Sequence, residues 1–508
     1  MYCGLIRILR FVLIVVLMIL LFSCEKDKSR EETILAKIAD KTISVDEFIR
    51  RAEYTIRPPY CNSSSTTHKK IILNSLIAEK LMSCEVGDAE DLMDTKPVQN
   101  FLLGRKEQAM RQVQFFRVAY DRAVVDTPEV KKYWGQVGRT YRIEYYNILD
   151  SLQAKWISRD IKNGKITFDE AYRQSGLFVD VPKREVNWNT IEHEAILEAL
   201  FGQEVRQNQI IGPVKIADDQ FTLIRIMDWS VLPVITEKDH DDRWRLISER
   251  IRQNKARDLY NHFIAGVMKG KSIQFSPQTF LRFTTILGPY YFLSDQEKQE
   301  LTKNQMFDLP DKRDGLNYQQ FHQDIEQIAD AVLFEVNGKK YTVRQLIDEI
   351  DIHPLVFRKN KMQSKEFGKQ LQWAIMDLVR DKFLTGVAYQ EDYDQLSGII
   401  REVDMWKDNL QYEDYVQNYV QSLNVDSTIT NNPVQLINRY LNNRIDSLQK
   451  KYSDRIEINL AELDRIKLTD IDMNVQLQNV PYTEPVPRFP LVTTNSKLDY
   501  GKKMKAEK

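Results

Sequence analysis

Apolar and polar residues alternate in the segment 36–49, AKIADKTISVDEFI, on both sides of a turn at Asp40-Lys41, and the spacing then becomes helical. The two-residue period predicts a short β-hairpin that leads directly into a helix. The segment 334–347, FEVNGKKYTVRQLI, repeats this pattern around Asn337-Gly338. The apolar positions of the two segments match at a constant separation: Ile38 with Val336, Ile43 with Tyr341, Val45 with Val343 and Phe48 with Leu346. This internal repeat predicts two modules built on one plan.

The chain between the repeats has a different pattern, in which short alternating runs are separated by helical spacings. The predicted elements are, in order, a strand at 141–149, helices at 152–162 and 168–172, a short strand at 186–188, a helix at 194–201, a turn at 211–214 and a strand at 221–226. Since strands and helices mix within about ninety residues, the segment 139–230 is predicted to be a compact α+β unit.

The first module is predicted at 34–138 and the second at 328–425. A helix at 236–270 is expected to return to the first module and complete it, because it carries an apolar stripe. The stripe consists of Trp244, Ile247, Ile251, Leu259, Phe263 and Val267. The predicted fold class is therefore α+β and mostly helical, with helical modules on both sides of the α+β unit.

The remaining segments are harder to assign from the pattern. The segment 276–327 is expected to be a linker or strand-rich, with an internal strand where its aromatic residues cluster; the alternative is an exposed binding strip formed by Phe283, Tyr290, Tyr291 and Phe292. A C-terminal helical segment is predicted at 426–480. The final segment, 481–508, contains four prolines and a basic end, and is expected to be a loose tail.

Composition limits the function classes. The chain has 508 residues, of which 43% are hydrophobic and 29% charged, so it can bury cores. With 72 Lys and Arg against 73 Asp and Glu it lacks the cationic excess that nucleic-acid binding relies on. No nucleotide-binding P-loop, HExxH, GxSxG or CxxC motif occurs, and we expect no cofactor and no metal. The acidic cluster Asp239-His240-Asp241-Asp242 follows Thr236 and is interpreted as a helix cap.

The N-terminus carries Arg7 and Arg10, then an unbroken apolar run at 11–22, then Ser23 and Cys24. This order predicts a signal peptide at 1–23, with an uncleaved anchor or a soluble secreted form as the alternatives. The tetrapeptide at 21–24, LFSC, resembles the lipobox of bacterial lipoproteins. That resemblance implies that Cys24 is the lipid attachment site and that 24–33 is a tether.

The same prediction sets the compartment. We expect the protein to be lipid-anchored to the outer or inner membrane of the cell envelope, facing the periplasm. Two cysteines remain after the lipid site, Cys61 and Cys84. An oxidising compartment permits them to pair, but a buried free thiol is an equally ordinary outcome.

Three segments of the central unit resemble the parvulin-type peptidyl-prolyl isomerases of the SurA, PrsA and PpiD kind: AKWISRDIKNGKITFDEAYRQSG, EAILEALF and IIGPVKIADDQFTLIRI. The flanking hairpin-helix modules are similar to the chaperone domain of SurA. The resemblance implies a parvulin-like domain at 139–230 and periplasmic chaperone modules around it. It also implies isomerisation of X–Pro bonds, for which the family uses a pair of histidines and an apolar pocket.

The positions that carry this chemistry in the family differ here. Asn147 and Thr222 stand where the resemblance places the two histidines, and Glu192 and Ile196 stand near its pocket methionine and phenylalanine. We therefore predict a degenerate site with weak or no catalysis. The predicted function is a membrane-anchored chaperone that holds unfolded polypeptides, with outer-membrane proteins as the expected clients. The alternatives are an active isomerase and a structural adaptor of an envelope complex.

Overall fold

The structure is a computed structural model. It describes residues 33–87, 91–174, 176, 180–217, 219–294, 296–297, 318–359, 361–423, 425, 429, 432–471 and 473–504. The predicted signal peptide and Cys24 lie outside these residues. The fold is α+β and mostly helical, as predicted. The described residues form two compact units: those within 112–269, here called the inserted unit, and those within 1–111 and 270–508, here called the split unit.

The first module begins with the predicted hairpin. Its elements are β1 (Ile34–Ile38), β2 (Lys41–Ser44), α1 (Val45–Glu53), α2 (Thr66–Val86), α3 (Asp91–Asp94) and α4 (Lys96–Phe115). Ile38 pairs with Lys41 across the turn. The Ser44 hydroxyl then accepts a hydrogen bond from the backbone N–H of Glu47 at 3.0 Å, which caps α1. The hairpin-to-helix prediction is confirmed.

The inserted unit holds the elements of the predicted α+β segment, in the predicted order. Two further helices flank them, so that the unit contains α5 (Thr127–Trp134), β3 (Arg139–Ile148), α6 (Ser151–Lys162), α7 (Phe168–Gln174), β4 (Lys183–Asn187), α8 (Glu194–Phe201), β5 (Ile210–Ala217), β6 (Gln220–Val231) and α9 (Glu237–Met268). The four strands form an antiparallel sheet in the order β4-β3-β6-β5. Tyr141 and Ile143 lie in the core with α8, while Tyr146 and Ile148 lie in a second core with α6 and α7. The sheet is thus covered on both faces.

The helix α9 differs from the prediction that it completes the first module. Its Ile247 and Ile251 lie in the core of the inserted unit, and Ala256 packs with Ala119 and Ala123 of the same unit. The first half of the stripe therefore packs on neighbouring elements of 112–269, whereas Leu259 in the second half is 39% exposed. The core of the first module is filled by C-terminal residues instead, which are described below.

The second module repeats the plan of the first. Its elements are β7 (Ile273–Phe275), α10 (Pro277–Tyr291), α11 (Tyr318–Glu326), β8 (Val332–Val336), β9 (Lys339–Thr342), α12 (Val343–Ile352), α13 (Phe367–Gln390) and α14 (Ser397–Ser422). The strands form an antiparallel sheet in the order β7-β8-β9. Thr342 caps α12 with a capping box, as Ser44 caps α1 in the first copy.

Within the described part of 276–327, the expectation of an internal strand or an exposed aromatic strip is wrong, because Pro277–Tyr291 is the helix α10 and only Phe292 of the four aromatic residues is exposed, at 40%. Phe283 is buried, and the ring of Tyr290 packs on Phe321 with centroids 4.5 Å apart. Tyr291 packs on Phe367 at 5.0 Å. These aromatic side chains belong to the core of the second module.

The C-terminal part adds α15 (Pro433–Leu436), α16 (Asn442–Lys451), β10 (Ile456–Ile458), α17 (Leu460–Arg465) and β11 (Lys502–Lys503). The strand β10 pairs with β1, so that one sheet runs in the order β11-β10-β1-β2. The expected helical segment 426–480 is helical only in part, since a strand and extended chain follow Lys451. The tail is not loose. Its Val486, Phe489 and Val492 are buried, the last two in the core of the first module.

The two modules also contact each other within the split unit. Phe101 of α4 packs edge-to-face on Trp406 of α14, with centroids 5.5 Å apart. Lys80 of α2 and Asp408 of α14 form a buried ion pair at 2.9 Å. The first module is thus joined to the second and to the C-terminal segment through apolar and ionic contacts.

Candidate functional site

The sheet of the inserted unit brings two of the predicted site residues together. Asn147 on β3 lies directly opposite Thr222 on β6 in the antiparallel register. Asn147 is exposed, whereas Thr222 is completely buried. The Thr222 hydroxyl has no hydrogen-bond partner within the described part of the chain. A carboxamide and a hydroxyl are therefore cross-strand neighbours here. Neither group gains or loses a proton near neutral pH, as an imidazole does.

An ion pair lies next to this position. Tyr145 is two residues before Asn147 on β3 and shares its face of the sheet. The Arg184 guanidinium lies over the Tyr145 ring at 4.4 Å, and its Nη2 is 2.6 Å from Glu192 Oε2. The position predicted to replace a pocket methionine is therefore a carboxylate already paired with arginine, which makes the surface polar.

The other predicted positions are structural. Ile196 is buried in the core beneath α8. His193, the histidine nearest to the predicted site in sequence, is the N-cap of α8, where its Nδ1 accepts a hydrogen bond from the backbone N–H of Ala195 at 3.2 Å. The structure therefore gives Ile196 a packing role and His193 a capping role.

A concave surface that the sequence analysis did not predict lies elsewhere in the inserted unit. This cavity, here called the 137–249 groove, measures about 950 Å³. It lies between the ends of β3, β4 and β6 and the first turns of α9. Its lining residues are Val137, Gly138, Arg139, Thr140, Asn187, Trp188, Asn189, Leu232, Pro233, Ile235, Asp239, Asp242, Arg243, Arg245, Leu246 and Glu249.

Apolar side chains are exposed in this groove. Leu232 is 73% exposed and Ile235 is 81% exposed, while Leu246 of α9 is 39% exposed. The charged lining residues are balanced, with three arginines against three carboxylates. The sequence feature that could have indicated this groove is the apolar run 231–235, VLPVI, which begins at the last residue of β6 and contains a proline.

The backbone that presents Leu232 and Ile235 is held at both ends. The Leu232 N–H donates to the Gly138 carbonyl at 2.7 Å, and the Leu232 carbonyl accepts from Arg243. At the other end, Thr236 and Asp239 form a capping box that begins α9. The helix-cap interpretation of the acidic cluster is thereby confirmed. Hydrogen bonds from the backbone N–H groups of Thr236 and Ile235 lower the pKa of Asp239, so its carboxylate is a stable acceptor.

Trp188 also lines this groove. Its indole Nε1 is a buried donor that has no hydrogen-bond partner among the residues described. Its backbone carbonyl accepts from Arg250 of α9, which fixes the loop that carries it. Trp188 is only 4% exposed and therefore forms part of the groove's wall, whereas the exposed apolar surface comes from Leu232, Ile235 and Leu246.

Cys61 and Cys84 are both free thiols, so the unpaired alternative is the one observed. Burial raises the pKa of Cys61 to about 12 and that of Cys84 to about 11, which keeps both protonated. The described ranges contain no cluster of three or more potential metal ligands. In the same ranges, no helix combines the length and the apolar character that crossing a membrane requires.

Comparisons with known proteins add little. No family model and no curated protein matches the sequence. Among solved structures, the crystal structure of PrsA from Bacillus subtilis is similar at 15% sequence identity and a TM-score of 0.14. That match covers 46% of this chain and 93% of the PrsA chain. What this protein does is therefore inferred from its own residues and their geometry.

Proposed function

We propose that this protein is an ATP-independent chaperone that holds unfolded polypeptide in the 137–249 groove. The observation that carries the proposal is the exposure of Leu232 and Ile235 on a backbone that hydrogen bonds hold at both ends. Fixed, exposed apolar side chains in a concave surface are typical of binding sites, because leaving them in water is unfavourable.

The groove suits an extended chain better than a single compact ligand. Its volume of about 950 Å³ is at the upper end of ordinary ligand pockets. The balanced charges of its lining select for neither acidic nor basic segments, and the apolar side chains accept any apolar residue.

The second part of the proposal concerns anchoring. The predicted signal peptide and the lipobox-like sequence that ends at Cys24 support attachment by a lipid to the outer or inner membrane, with the described units in the periplasm. Two acyl chains on one cysteine give stable anchoring. Clients at that location include outer-membrane proteins in transit. With no nucleotide-binding motif in the sequence, holding is passive and set by affinity alone.

The third part is that the inserted unit does not isomerise proline bonds efficiently. The Asn147–Thr222 pair and the Arg184–Glu192 ion pair support this, since they leave a polar surface without imidazole groups. In a protease-coupled assay on proline peptides, we expect a rate near the uncatalysed background. A rate far above background that Asn147→Ala abolishes would overturn this part of the proposal.

Holding is tested by light scattering of an unfolded outer-membrane protein diluted from urea into buffer, with the purified full-length chaperone present. We expect the wild-type protein to suppress aggregation without ATP. The variant Leu232→Ser/Ile235→Ser should lose most of this protection, because both side chains are exposed and their replacement leaves the cores intact.

A matched control replaces one exposed leucine and one exposed isoleucine in the split unit, as Leu281→Ser/Ile400→Ser. These residues are 68% and 46% exposed and lie outside the groove. The control should protect as well as the wild type. Equal loss in both variants, or in neither, would reject the groove as the holding site, and no protection by the wild type would favour the adaptor alternative.

A further inference from the structure

The outer face of α6 in the inserted unit carries apolar side chains that the protein leaves exposed. Leu152 is 69% exposed and Trp156 is 67% exposed, and Leu149, just before the helix, is 72% exposed. Leu152 and Trp156 are four residues apart, so they lie next to each other on one face of the helix. None of the three lines the 137–249 groove. We call these three side chains the α6 patch.

The opposite face of α6 is already packed. Ala154 is completely buried, and Ile157 and Ile161 pack on the core beneath the helix. The Ser158 hydroxyl donates to the Gly212 carbonyl at 3.1 Å, which ties the helix to β5. The α6 patch is thus held on a fixed helix and lies away from the core of its own unit. Neighbouring large apolar side chains left in water on an ordered element are typical of an interaction surface.

A row of basic side chains runs beside the α6 patch. Lys155, Arg159 and Lys162 are spaced by four and three residues, so they follow one another along the helix. Lys155 and Arg159 each come three residues after an apolar member of the patch, which makes the two rows neighbours. All three basic side chains are exposed. Lys155 and Lys162 form no ion pair with any described residue.

The acidic side chains of the same stretch are already engaged. The Asp150 carboxylate accepts a hydrogen bond of 2.6 Å from a backbone N–H in the first turn of α6 and caps the helix. Asp160 Oδ1 lies 3.5 Å from Arg159 Nε and 3.7 Å from Lys165 Nζ. The stretch 149–165 has four cationic side chains and two carboxylates, a net charge of +2. The two unpaired lysines carry this excess, so the charge beside the patch is positive.

The surface of an anionic bilayer matches these features. Tryptophan and leucine side chains enter the boundary between headgroups and acyl chains, where an indole keeps its N–H in the polar layer. Lysines beside them reach the lipid phosphates while their stems lie along apolar surface. An unfolded polypeptide, by contrast, has no fixed negative charge for the lysines. A second copy that packed its own α6 patch here would bring two positive rows together, which is unfavourable.

The proposed lipid anchor supplies the bilayer. Nine residues separate Cys24 from Thr33, the first residue that the structure describes, and this length spans at most about 32 Å. A lipid on Cys24 therefore keeps the folded protein next to the membrane, where a second contact with the bilayer is effectively intramolecular. For this proximity the inference rests on the anchoring part of the proposed function.

We propose that α6 docks on the surface of an anionic lipid bilayer, with the α6 patch inserted at the level of the headgroups and Lys155 and Lys162 in contact with lipid phosphates. The contact is peripheral and does not span the membrane. It gives the lipid-anchored protein a second attachment, and it uses none of the residues that line the 137–249 groove.

The test places an environment-sensitive fluorescent amino acid at Leu149 in the purified full-length protein, and in a parallel sample at Ile191. Ile191 is fully exposed and precedes α8, which packs on the other face of the sheet. The vesicles contain either equal parts of phosphatidylethanolamine and phosphatidylglycerol or phosphatidylcholine alone. At position 149 we expect a blue shift and quenching by a lipid-bound quencher on the anionic vesicles, and a much smaller effect on the neutral ones. At position 191 we expect no effect on either.

Two double variants, each with the probe at position 149, separate the apolar and the charged contributions. Leu152→Ser/Trp156→Ser should lose the blue shift on anionic vesicles, because the inserting side chains are gone. Lys155→Gln/Lys162→Gln should lose most of it, because the attraction to lipid phosphates is removed. All four side chains are exposed, so both variants are expected to fold, which circular dichroism checks.

The matched control removes two exposed lysines elsewhere in the inserted unit, as Lys131→Gln/Lys238→Gln, and should keep the wild-type shift. Flotation with the vesicles measures anchoring separately. A protein that floats with anionic vesicles without a shift at position 149 would overturn the inference and leave the anchoring intact. A shift at position 149 in protein whose Cys24 carries no lipid would support the inference and reject the anchoring.

Other results would also overturn the inference. These are equal shifts at positions 149 and 191, a wild-type shift in both double variants, and no association with either kind of vesicle. An equal shift at position 149 with urea-unfolded outer-membrane protein and no vesicles would instead make the α6 patch a client site. A shift that grows with protein concentration alone would make it a contact between copies of the chain.

Discussion

Arg51 and Glu79 are both completely buried and form the most enclosed ion pair of the first module. The two guanidinium nitrogens donate to the two carboxylate oxygens at 2.8 and 2.7 Å. Arg51 also donates to the Arg488 carbonyl at 2.8 Å, so the pair orients the C-terminal tail as well. Such a pair is tolerated because the bidentate geometry compensates for the lost hydration of both charges.

Glu79→Gln should therefore destabilise the split unit by about 3–5 kcal/mol, because the buried Arg51 charge loses the carboxylate to which it is hydrogen-bonded. The measurement is urea unfolding followed by near-ultraviolet circular dichroism. The control is Lys96→Gln, which removes an exposed pair with Asp348 and should cost less than about 1 kcal/mol. Equal effects of the two substitutions would contradict this account of the buried pair.

Asp408 predicts a pH dependence. Burial alone would raise its pKa, but Lys80 and Lys41 outweigh burial and lower it. The folded state therefore favours the ionised form, and this stabilisation is present above the ordinary pKa of an aspartate, about 4, and is lost as the pH falls through the lowered value. Asp408→Asn should be much less stable than the wild type at pH 7, and the difference should narrow below about pH 4. A difference that stays constant from pH 7 to pH 2 would show that Asp408 is not the linked group.

At the scale of elements, the C-terminal tail is buried without regular secondary structure. Side chains of helices satisfy its backbone groups instead. Gln108 bonds both the N–H and the carbonyl of Tyr482, Arg50 donates to the Pro485 carbonyl, and Asn74 donates to the Asn495 carbonyl. These bonds allow a proline-rich chain to lie against a core, since buried backbone groups must be paired.

Phe489→Ala should consequently cost about 3–5 kcal/mol, the range for removing a buried phenylalanine ring. Leu491→Ala is the neighbouring control, because Leu491 is 39% exposed and its loss should cost far less. The same urea experiment measures both. Similar small costs for both would mean that the tail is loosely held after all.

The sequence predicted the elements whose signals are local. The hairpins of both modules and the element order of the inserted unit follow from two-residue and helical periods in short windows. The helix α10 was not predicted, although Phe280, Phe283, Leu287 and Tyr291 have helical spacing, because dense aromatic residues are also typical of strands. The tail could not be predicted, since the partner of Tyr482, Gln108, lies 374 residues away in the sequence.

Only part of the candidate site could be predicted from the sequence. The strands that carry Asn147 and Thr222 were predicted correctly, but the register that places the two residues opposite each other is known only from the structure. The ion pair of Arg184 with Glu192 was not predicted either, because it depends on how β4 and the loop before α8 approach each other. The 137–249 groove was missed since exposure of Leu232 and Ile235 is a tertiary property, and an apolar run is usually interpreted as core.

At the scale of the whole molecule, the first module depends on the chain's C-terminal end. Ile445, Leu448, Phe489 and Val492 lie in its core, and β10 pairs with β1. Removing the second module by ending the chain near Gly270 would also remove all of these residues from the core of the first module. Such a truncation therefore cannot test whether the second module contributes to holding, and point substitutions in the full-length protein are the appropriate test.

The anchoring proposal predicts a modified N-terminus. Mass spectrometry of the mature protein from its native host should find the N-terminal peptide beginning at a diacylated Cys24. Cys24→Ser should release the protein from the membrane or block its processing. A mature protein that retains Met1 would contradict the prediction.

The central claim is that unfolded polypeptide is held in the 137–249 groove, and site-specific photo-crosslinking tests it most directly. A photoreactive amino acid is placed at Ile235, and in a parallel sample at Ile400, an exposed isoleucine of the split unit. Each full-length protein is irradiated with a labelled, urea-unfolded outer-membrane protein. We expect strong adducts at position 235 that an excess of unlabelled unfolded protein removes, and few at position 400. Equal adducts at both positions, or none at 235 while aggregation is still suppressed, would contradict the account.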